Sequence, residues 1–450
     1  MIPLSRGPLH AVRSRPPRAG GGCRGVSYTH GQMYLIYTSA LVLGLLLTLP
    51  YYAARFRKYR PTLGERLGFV RPLEGPRPIW IHAVSVGELR AVDALIRSVR
   101  SRTGGQPVVV STTTPTARAL ALGRDDVDRV IYFPLDLPSA VRRTLGRIRP
   151  KLVIVAETEI WPNFLRQCGL ASIPVFMVNG RISDRSFGRY RTVRRWLVRV
   201  LDGYALLGMQ SEGDASRIRD LGAPNGRVAV FGNLKYDAPR LSGALDPALR
   251  RTLETWQPLV VAASTAEGEE ALVLDAFGRL AGSHPGLKLL IAPRRPERFD
   301  EVGRALDAAG LTWCRRSAIG EAPVEGTALL LDSIGELSAI YEFASVVFMG
   351  GTLVPHGGHN ILEAARFRKP VVFGPYMDNF RPMANEFLEA GAAVEVSGSD
   401  ELGRELDHLL SNPELARTIA LSGHRLLEKN RGATEAALDA ILGPKSPVMG

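Results

Sequence analysis

The sequence predicts an α/β protein of two doubly wound, Rossmann-like domains that face a cleft and follow one N-terminal membrane-anchor helix. Three observations predict it. Past residue 75, short and nearly continuous apolar runs alternate with amphipathic helical patterns, which implies parallel sheets covered on both faces. That alternation occurs twice in a chain of 450 residues, too long for one ordinary core. Met33 to Ala54 carries no charged residue and has close to the ~20 apolar residues that cross a bilayer.

Residues 1–32 hold five arginines, no acid and many Gly and Pro, so no packed structure is expected there. The apolar segment 33–54 comes next, with Tyr34, Tyr37, Tyr51 and Tyr52 near its ends, where amphipathic rings favour the headgroup zone. Arg55, Arg57, Lys58 and Arg60 follow at once, and by the positive-inside rule the body of the chain stays in the cytoplasm. The arginines before Met33 oppose that orientation. Translation from Met33, or a segment that enters the membrane without spanning it, would remove the conflict. Two rival readings are a cleaved signal peptide, weakened by the basic cluster after the apolar run, and a core helix bent or ended at Pro50.

In the first half, strands are expected at Ile79–Val84, Val108–Ser111, Leu152–Ala156, Pro174–Asn179 and Arg227–Phe231. Helical patterns such as Leu89–Arg100 and Val141–Arg147 lie between them. The second half repeats the logic with Leu259–Ala263, Leu287–Ala292, Leu329–Leu331, Val346–Met349 and Val371–Gly374. Between the halves, Asp237–Gln257 lacks a clear strand and includes Pro239 and Pro247, as a linker would. The expected domains are therefore 55–240 and 258–443, joined by a linker at 241–257.

Composition narrows the chemistry. With 45% apolar and 22% charged residues the chain is globular, not disordered. A formal charge of +13 suits phosphate-bearing ligands, nucleic acid or an anionic membrane surface alike. Cys23, Cys168 and Cys314 match no zinc spacing, and an odd, sparse count argues against a disulfide framework.

In doubly wound sheets, ligands bind where strands end and helices begin. His82-Ala83-Val84-Ser85-Val86-Gly87-Glu88 leaves the first strand and enters a helix. Glu88 then stands in a first turn, either as a proton acceptor for an attacking hydroxyl or as an acid that favours the positive helix end. Glu157-Thr158-Glu159-Ile160-Trp161-Pro162 puts two acids at one buried strand's end. They could orient a substrate, stabilise a cationic transition state or pair with arginines such as Arg181. Gly232-Asn233-Leu234-Lys235-Tyr236-Asp237 closes the first domain and places Lys235 to meet a phosphate, although a lone loop lysine is usually solvated.

The strongest local signal is Gly350-Gly351-Thr352-Leu353-Val354-Pro355-His356-Gly357-Gly358-His359-Asn360-Ile361-Leu362-Glu363. A strand, a glycine-rich loop and a helix offer free backbone N–H groups to an anion, with Asn360 as cap. Glu363 could accept two ribose hydroxyls. Pro293-Arg294-Arg295-Pro296-Glu297-Arg298 offers guanidinium groups to a phosphate, and Ile334-Gly335-Glu336-Leu337 opens another helix. Arg185, Arg189, Arg191, Arg194 and Arg195, with Arg199, interleave with Phe187, Tyr190 and Trp196. That mixture reads as a surface for anionic lipid or a phosphorylated glycolipid, with a nucleic-acid groove and a solvated helix face as rivals.

The runs GERLG, HAVSVGE, STTTPT, ETEIWPN, NGRISDRS, GNLKYD, EGEE, PERF, GEL and GGHNILEAA occur in this order. Together they resemble the 3-deoxy-D-manno-octulosonic acid (Kdo) transferases of lipid A assembly, over nearly everything from the apolar segment onward. The resemblance implies a GT-B-type fold whose first domain binds the acceptor and whose second binds the CMP-sugar. It implies CMP-Kdo as donor, a tetraacylated lipid A precursor (lipid IVA) as acceptor, inversion at the anomeric centre and no metal or other cofactor. It also implies anchoring at the inner membrane, with the catalytic domains on the cytoplasmic side, and no nucleic-acid partner. By motif, Glu88 matches the general base, and Glu157 and Lys235 match residues that stabilise the transition state. CMP contacts would fall on Pro293 and Arg294, on Ile334, Gly335 and Glu336, and on Asn360, Ile361, Leu362 and Glu363. Ala266 and Arg295 depart from the family, which usually has His at both positions.

Two other classes compete. A nucleotide-sugar epimerase or hydrolase shares the architecture but needs neither the membrane segment nor the basic strip. A tethered binding module has no use for Glu88, Glu157 and Lys235 beside an intact nucleotide loop.

Overall fold

The computed structural model describes residues 30–54, 62–237, 245–280, 282–320 and 324–443. The stretch expected to be unstructured at 1–32, the basic cluster 55–60 and the start of the linker lie wholly or largely outside these residues. The chain divides into two compact units after Lys58. In the first, one α-helix spans His30–Ala54 with Pro50 inside it. Its window Gly31–Thr48 has a mean hydropathy of 1.4, and the helix is long and apolar enough to cross a membrane.

The second unit contains two seven-stranded parallel sheets. The first comprises β1 (Ile79–His82), β2 (Val108–Thr112), β3 (Arg129–Tyr132), β4 (Leu152–Ala156), β5 (Val175–Gly180), β6 (Leu206–Met209) and β7 (Val228–Val230), in the spatial order β3-β2-β1-β4-β5-β6-β7. The second comprises β8 (Leu259–Thr265), β9 (Lys288–Pro293), β10 (Trp313–Arg315), β11 (Ala328–Leu330), β12 (Val346–Met349), β13 (Val371–Phe373) and β14 (Val394–Glu395), in the order β10-β11-β9-β8-β12-β13-β14. Every pairing is parallel, with Ile79 opposite both Val108 and Leu152 in the first sheet. The strands are almost wholly buried because helices cover both faces, which is why they read as unbroken apolar runs.

Local chemistry starts the helices. Thr114 caps Pro115–Leu122 by accepting from Ala117 N, with Pro115 at the first position, where its missing N–H costs nothing. Ser183 and Ser211 cap Asp184–Thr192 and Glu212–Asp220 in the same way. Under the first sheet, Trp80 is fully buried, packs edge-on against Phe164 at 5.3 Å and donates from Nε1 to Ser111 Oγ at 2.8 Å. Truncating such a side chain to Ala costs roughly 3–5 kcal/mol.

Two packing facts redraw the expected boundaries. The described part of the linker contains the helix Pro247–Thr255, capped by Asp246, and its Leu249 and Leu253 are buried in the second domain's core. The last helix, Ala433–Leu442, was expected in the second domain but buries Ala437, Leu438 and Ile441 against Ile79, Leu152 and Leu95 of the first. Asp237 ties the two crossings together, its carboxylate accepting from Gly432 N at 2.7 Å and Thr434 N at 2.6 Å.

Candidate active site

In each sheet the strand order reverses beside the first strand, between β1 and β4 and between β8 and β12. The crevice at such a switch point is where doubly wound sheets bind ligands. Glu88 and Glu157 leave the first one; Glu269 and the glycine loop leave the second.

Glu88 is the third residue of the helix Val86–Ala91 and is nearly buried. Ser85 caps that helix by accepting from Glu88 N at 3.3 Å. The Glu88 carboxylate reaches back to accept from Val84 N at 2.7 Å and Ser85 Oγ at 3.3 Å, a reciprocal cap that fixes its rotamer. Burial pushes its pKa up to about 8; the Val84 N–H opposes this and the charges of Glu157 and Glu159 add to it. Glu159 is likewise pushed up to about 7 by burial and by Glu157.

Glu157 follows β4 directly in a left-handed backbone conformation, φ 58°, a strained state that clusters at functional sites. Its Oε1 lies 3.5 Å from Lys235 Nζ, so the two residues singled out from separate motifs form an ion pair. The Lys235 ammonium also sits over the Phe380 ring of the second domain, 5.2 Å from its centroid. Its main chain is held from both sides of the cleft: Asn233 Oδ1 accepts from Lys235 N at 3.0 Å, and Arg366 donates to Lys235 O at 2.6 Å.

Across the cleft, Pro293 ends β9, Ile334-Gly335-Glu336 follows β11, and Asn360–Glu363 follows β12. These pieces lie along one edge of the second sheet, with β8 between β9 and β12. Asn360 Oδ1 accepts from Leu362 N at 3.2 Å and opens a helix of only four residues, Leu362–Ala365. Glu363 is partly buried; burial pushes its pKa up, and the guanidinium groups of Arg90, Arg366 and Arg294 pull it down. Arg90, two residues past Glu88, approaches Glu363 to 4.0 Å. His359 is held neutral, its pKa lowered to about 4 by burial and by Arg294 and His356.

A buried carboxylate beside the Glu157–Lys235 ion pair can take a proton and meet an anionic group. Residues 61–238 match the family model of the 3-Deoxy-D-manno-octulosonic-acid transferase (kdotransferase). Over 393 residues the chain is 37% identical to the 3-deoxy-D-manno-octulosonic acid transferase of Haemophilus influenzae, covering 85% of this chain and 91% of that protein. The Bordetella pertussis transferase is 33% identical over 399 residues, with the same coverage of 85% and 91%. The chain belongs to the 3-deoxy-D-manno-octulosonic acid transferase family. It is therefore a glycosyltransferase. A putative UDP-N-acetylglucosamine 2-epimerase from Listeria monocytogenes superposes with a TM-score of 0.55 at 13% identity, over 82% of this chain and 96% of that one, a likeness of fold alone.

Within this Kdo transferase-family site, three expectations change. The N–H groups of Gly351, Thr352 and Leu353 are not free for an anion, because the buried Glu269 carboxylate accepts from all three. What remains for a ligand is the end of the loop, from His359 to Glu363. Of the arginines after β9, Arg298 is consumed by a two-pronged pair with Glu270, at 2.5 and 3.1 Å, and by Glu301; Arg294 and Arg295 are exposed. Glu336 is likewise engaged, with Arg316 at 2.9 Å and with Ser333. His82 belongs to the core, stacked on Phe133 at 3.9 Å and kept neutral by burial at about 3.

Arg185, Arg189, Arg191, Arg194 and Arg195 are all exposed on the helices Asp184–Thr192 and Arg194–Leu201, which follow β5. Sequence reasoning gave no separate role to Glu269, Arg366, Asn179 or Asn233. Three of these lie in runs it quoted, but nothing in a run tells which polar residue holds the others.

Proposed function

We propose that this chain transfers Kdo from CMP-Kdo to a lipid A precursor of the lipid IVA type, in lipopolysaccharide biosynthesis, with Glu88 as general base. The observation that carries this reading is the placement of Glu88, with its pKa raised to about 8, beside the Glu157–Lys235 pair at the first domain's switch point. A carboxylate of raised pKa is a stronger proton acceptor once ionised. In the transfer, the acceptor oxygen bonds to the anomeric carbon while the bond from that carbon to the CMP phosphate oxygen breaks. The hydroxyl proton passes to Glu88, and the configuration inverts. Glu157 faces the positive charge that develops on the sugar, and Lys235 faces the departing phosphate. Arg294 and the His359–Glu363 loop hold the CMP, with Glu363 on the ribose hydroxyls and Ile334-Gly335-Glu336 beside it; no metal or cofactor enters this scheme.

The apolar helix His30–Ala54 anchors the chain in the inner membrane, with both α/β domains on the cytoplasmic side, and the exposed arginines from Arg185 to Arg195 face the lipid headgroups and the acceptor's phosphates. The epimerase reading rests on fold alone and has no use for this surface. Membranes bearing the full chain, supplied with CMP-Kdo generated in situ and the precursor, test the proposal. Product from wild type and none from Glu88→Ala, with the variant still binding CMP, supports it; no product from folded wild type overturns the acceptor assignment.

A further inference from the structure

Lys235 sits on a single 3-10 turn, Leu234–Asp237, whose own Lys235 N and O are held by Asn233 and Arg366. The start of the turn must also be tied to the first sheet if the ammonium is to stay 3.5 Å from Glu157, which leaves that sheet. We infer that Asn179 is the positioning residue for Lys235, a side-chain latch from the end of β5 onto the turn that carries the lysine. This inference rests on the proposed transfer reaction.

Four observations converge on it. Asn179 is 1% exposed, and its Oδ1 accepts from Leu234 N, the amide just before Lys235, at 3.0 Å. A backbone N–H requires an acceptor, so the amide's orientation is set by chemistry, and Nδ2 is the other end. That Nδ2 is buried with no partner, a cost that a merely structural residue would shed by becoming apolar. Asn179 is also left-handed, φ 58°, where β5 shifts register against β6 between Met177 and Gly180. Asn tolerates that conformation better than most residues. The shift turns the side chain away from the regular alternation of the strand.

The second strained residue at this edge is Glu157, also at φ 58°, whose N–H is bonded to Val178 O at 2.8 Å. The two partners of the ion pair are thus set by adjacent residues of one strand: Val178 fixes the Glu157 backbone and Asn179 fixes the Lys235 turn. Gln210, the residue after β6, donates to Asn179 O at 3.1 Å and secures the latch from that side. Asn179 touches no reacting atom in this arrangement; it acts through Lys235.

The decisive variant is Asn179→Gly, because glycine accepts the left-handed backbone and only the side chain is lost. Displacing a catalytic group by about 1 Å costs on the order of 100-fold, so kcat should fall about that much. KM for CMP-Kdo should stay within about twofold, since the donor contacts lie in the other domain. In the Lys235→Ala background the same change should cost almost nothing further, because the latch then holds no lysine. If Asn179→Gly leaves kcat unchanged, or multiplies the Lys235→Ala loss in full, the inference fails. Asn179→Ala provides a second variant for the same measurements. Wild-type turnover separates the two readings: without it the transfer reaction itself is refuted, and with it only the latch is at stake.

Discussion

The carboxylate of Glu269, which opens the helix Glu269–Leu280 after β8, holds three successive backbone N–H groups of the loop after β12: Gly351 at 2.5 Å, Thr352 at 2.7 Å and Leu353 at 2.8 Å. Its Oε2 also accepts from Ala266 N at 2.9 Å, and the residue is fully buried. The two strands of the second switch point are therefore tied by one side chain. Gly350 allows the approach: a Cβ there would come within 2.6 Å of Thr265 Cα. Glu269→Ala leaves several buried donors unmet and should cost about 3 kcal/mol or more of stability. CMP affinity should fall at least about tenfold as the loop before His359 loosens. Thermal unfolding and calorimetric titration with CMP measure both. A variant as stable as wild type would mean that those N–H groups are solvated in solution.

Glu88 predicts a pH profile. A general base must be ionised, so kcat/KM for the acceptor should rise with pH through about 8 and level off above it. Burial is the largest cause of the shift, but the charges of Glu157 and Glu159 contribute. Glu159→Gln removes one of these charges without touching the Glu88 cap, so the acid limb should move to lower pH. Initial rates between pH 6 and 9.5 would be compared for the two proteins, a range of about two units around the limb. An unmoved limb would show that the Glu159 charge is not felt at Glu88.

The same burial has a price in stability. A carboxyl whose folded pKa is raised favours the native state in its neutral form, so that contribution is complete below the unfolded value of ~4.5. It is lost as pH climbs through the folded value of about 8. Glu88→Gln keeps the shape and abolishes the titration. Its Tm should match or fall below that of wild type at pH 5 and exceed it at pH 9. Equal Tm differences at both pH values would contradict the raised pKa.

Much of this was legible because the strands are buried on both faces: Leu152–Ala156 and Val346–Met349 run where their apolar residues predict. The strands not expected from the sequence, β3, β6, β10 and β14, are short, interrupted or half-exposed. β14 is two residues long, β10 is a half-exposed edge of Trp313, Cys314 and Arg315, β3 has only four residues, and β6 is interrupted by Gly208, against which Phe231 packs. The helix expected over Leu89–Arg100 breaks at Val92, where two helices meet. Glu88, Glu157 and Lys235 were legible by position, since each follows a strand. Glu269 and Arg298 were not, because the partner of each is decided by tertiary contact: Glu269 reaches a loop more than eighty residues away. Periodicity carries no information about such a bond.

The exposed arginines give the last prediction. The helix Asp184–Thr192 buries no residue, so Arg185, Arg189 and Arg191 can be replaced without opening the core. Arg191 lies over the Phe187 ring at 5.8 Å, and Phe187 packs against the first domain's core, which keeps the basic face attached to a rigid base. Each guanidinium near an anionic surface is worth about 1 kcal/mol, so reversing three charges removes at least about 3 kcal/mol of attraction. Arg185→Glu/Arg189→Glu/Arg191→Glu should therefore raise KM for the acceptor in anionic vesicles by about 100-fold or more at low salt. Screening shortens the reach of these charges to ~3 Å at 1 M salt, so the difference from wild type should shrink steeply there. kcat at saturating acceptor should change little, since none of the three touches Glu88 or Lys235. A loss of kcat with unchanged KM would place these arginines in the chemistry instead of on the lipid-facing surface.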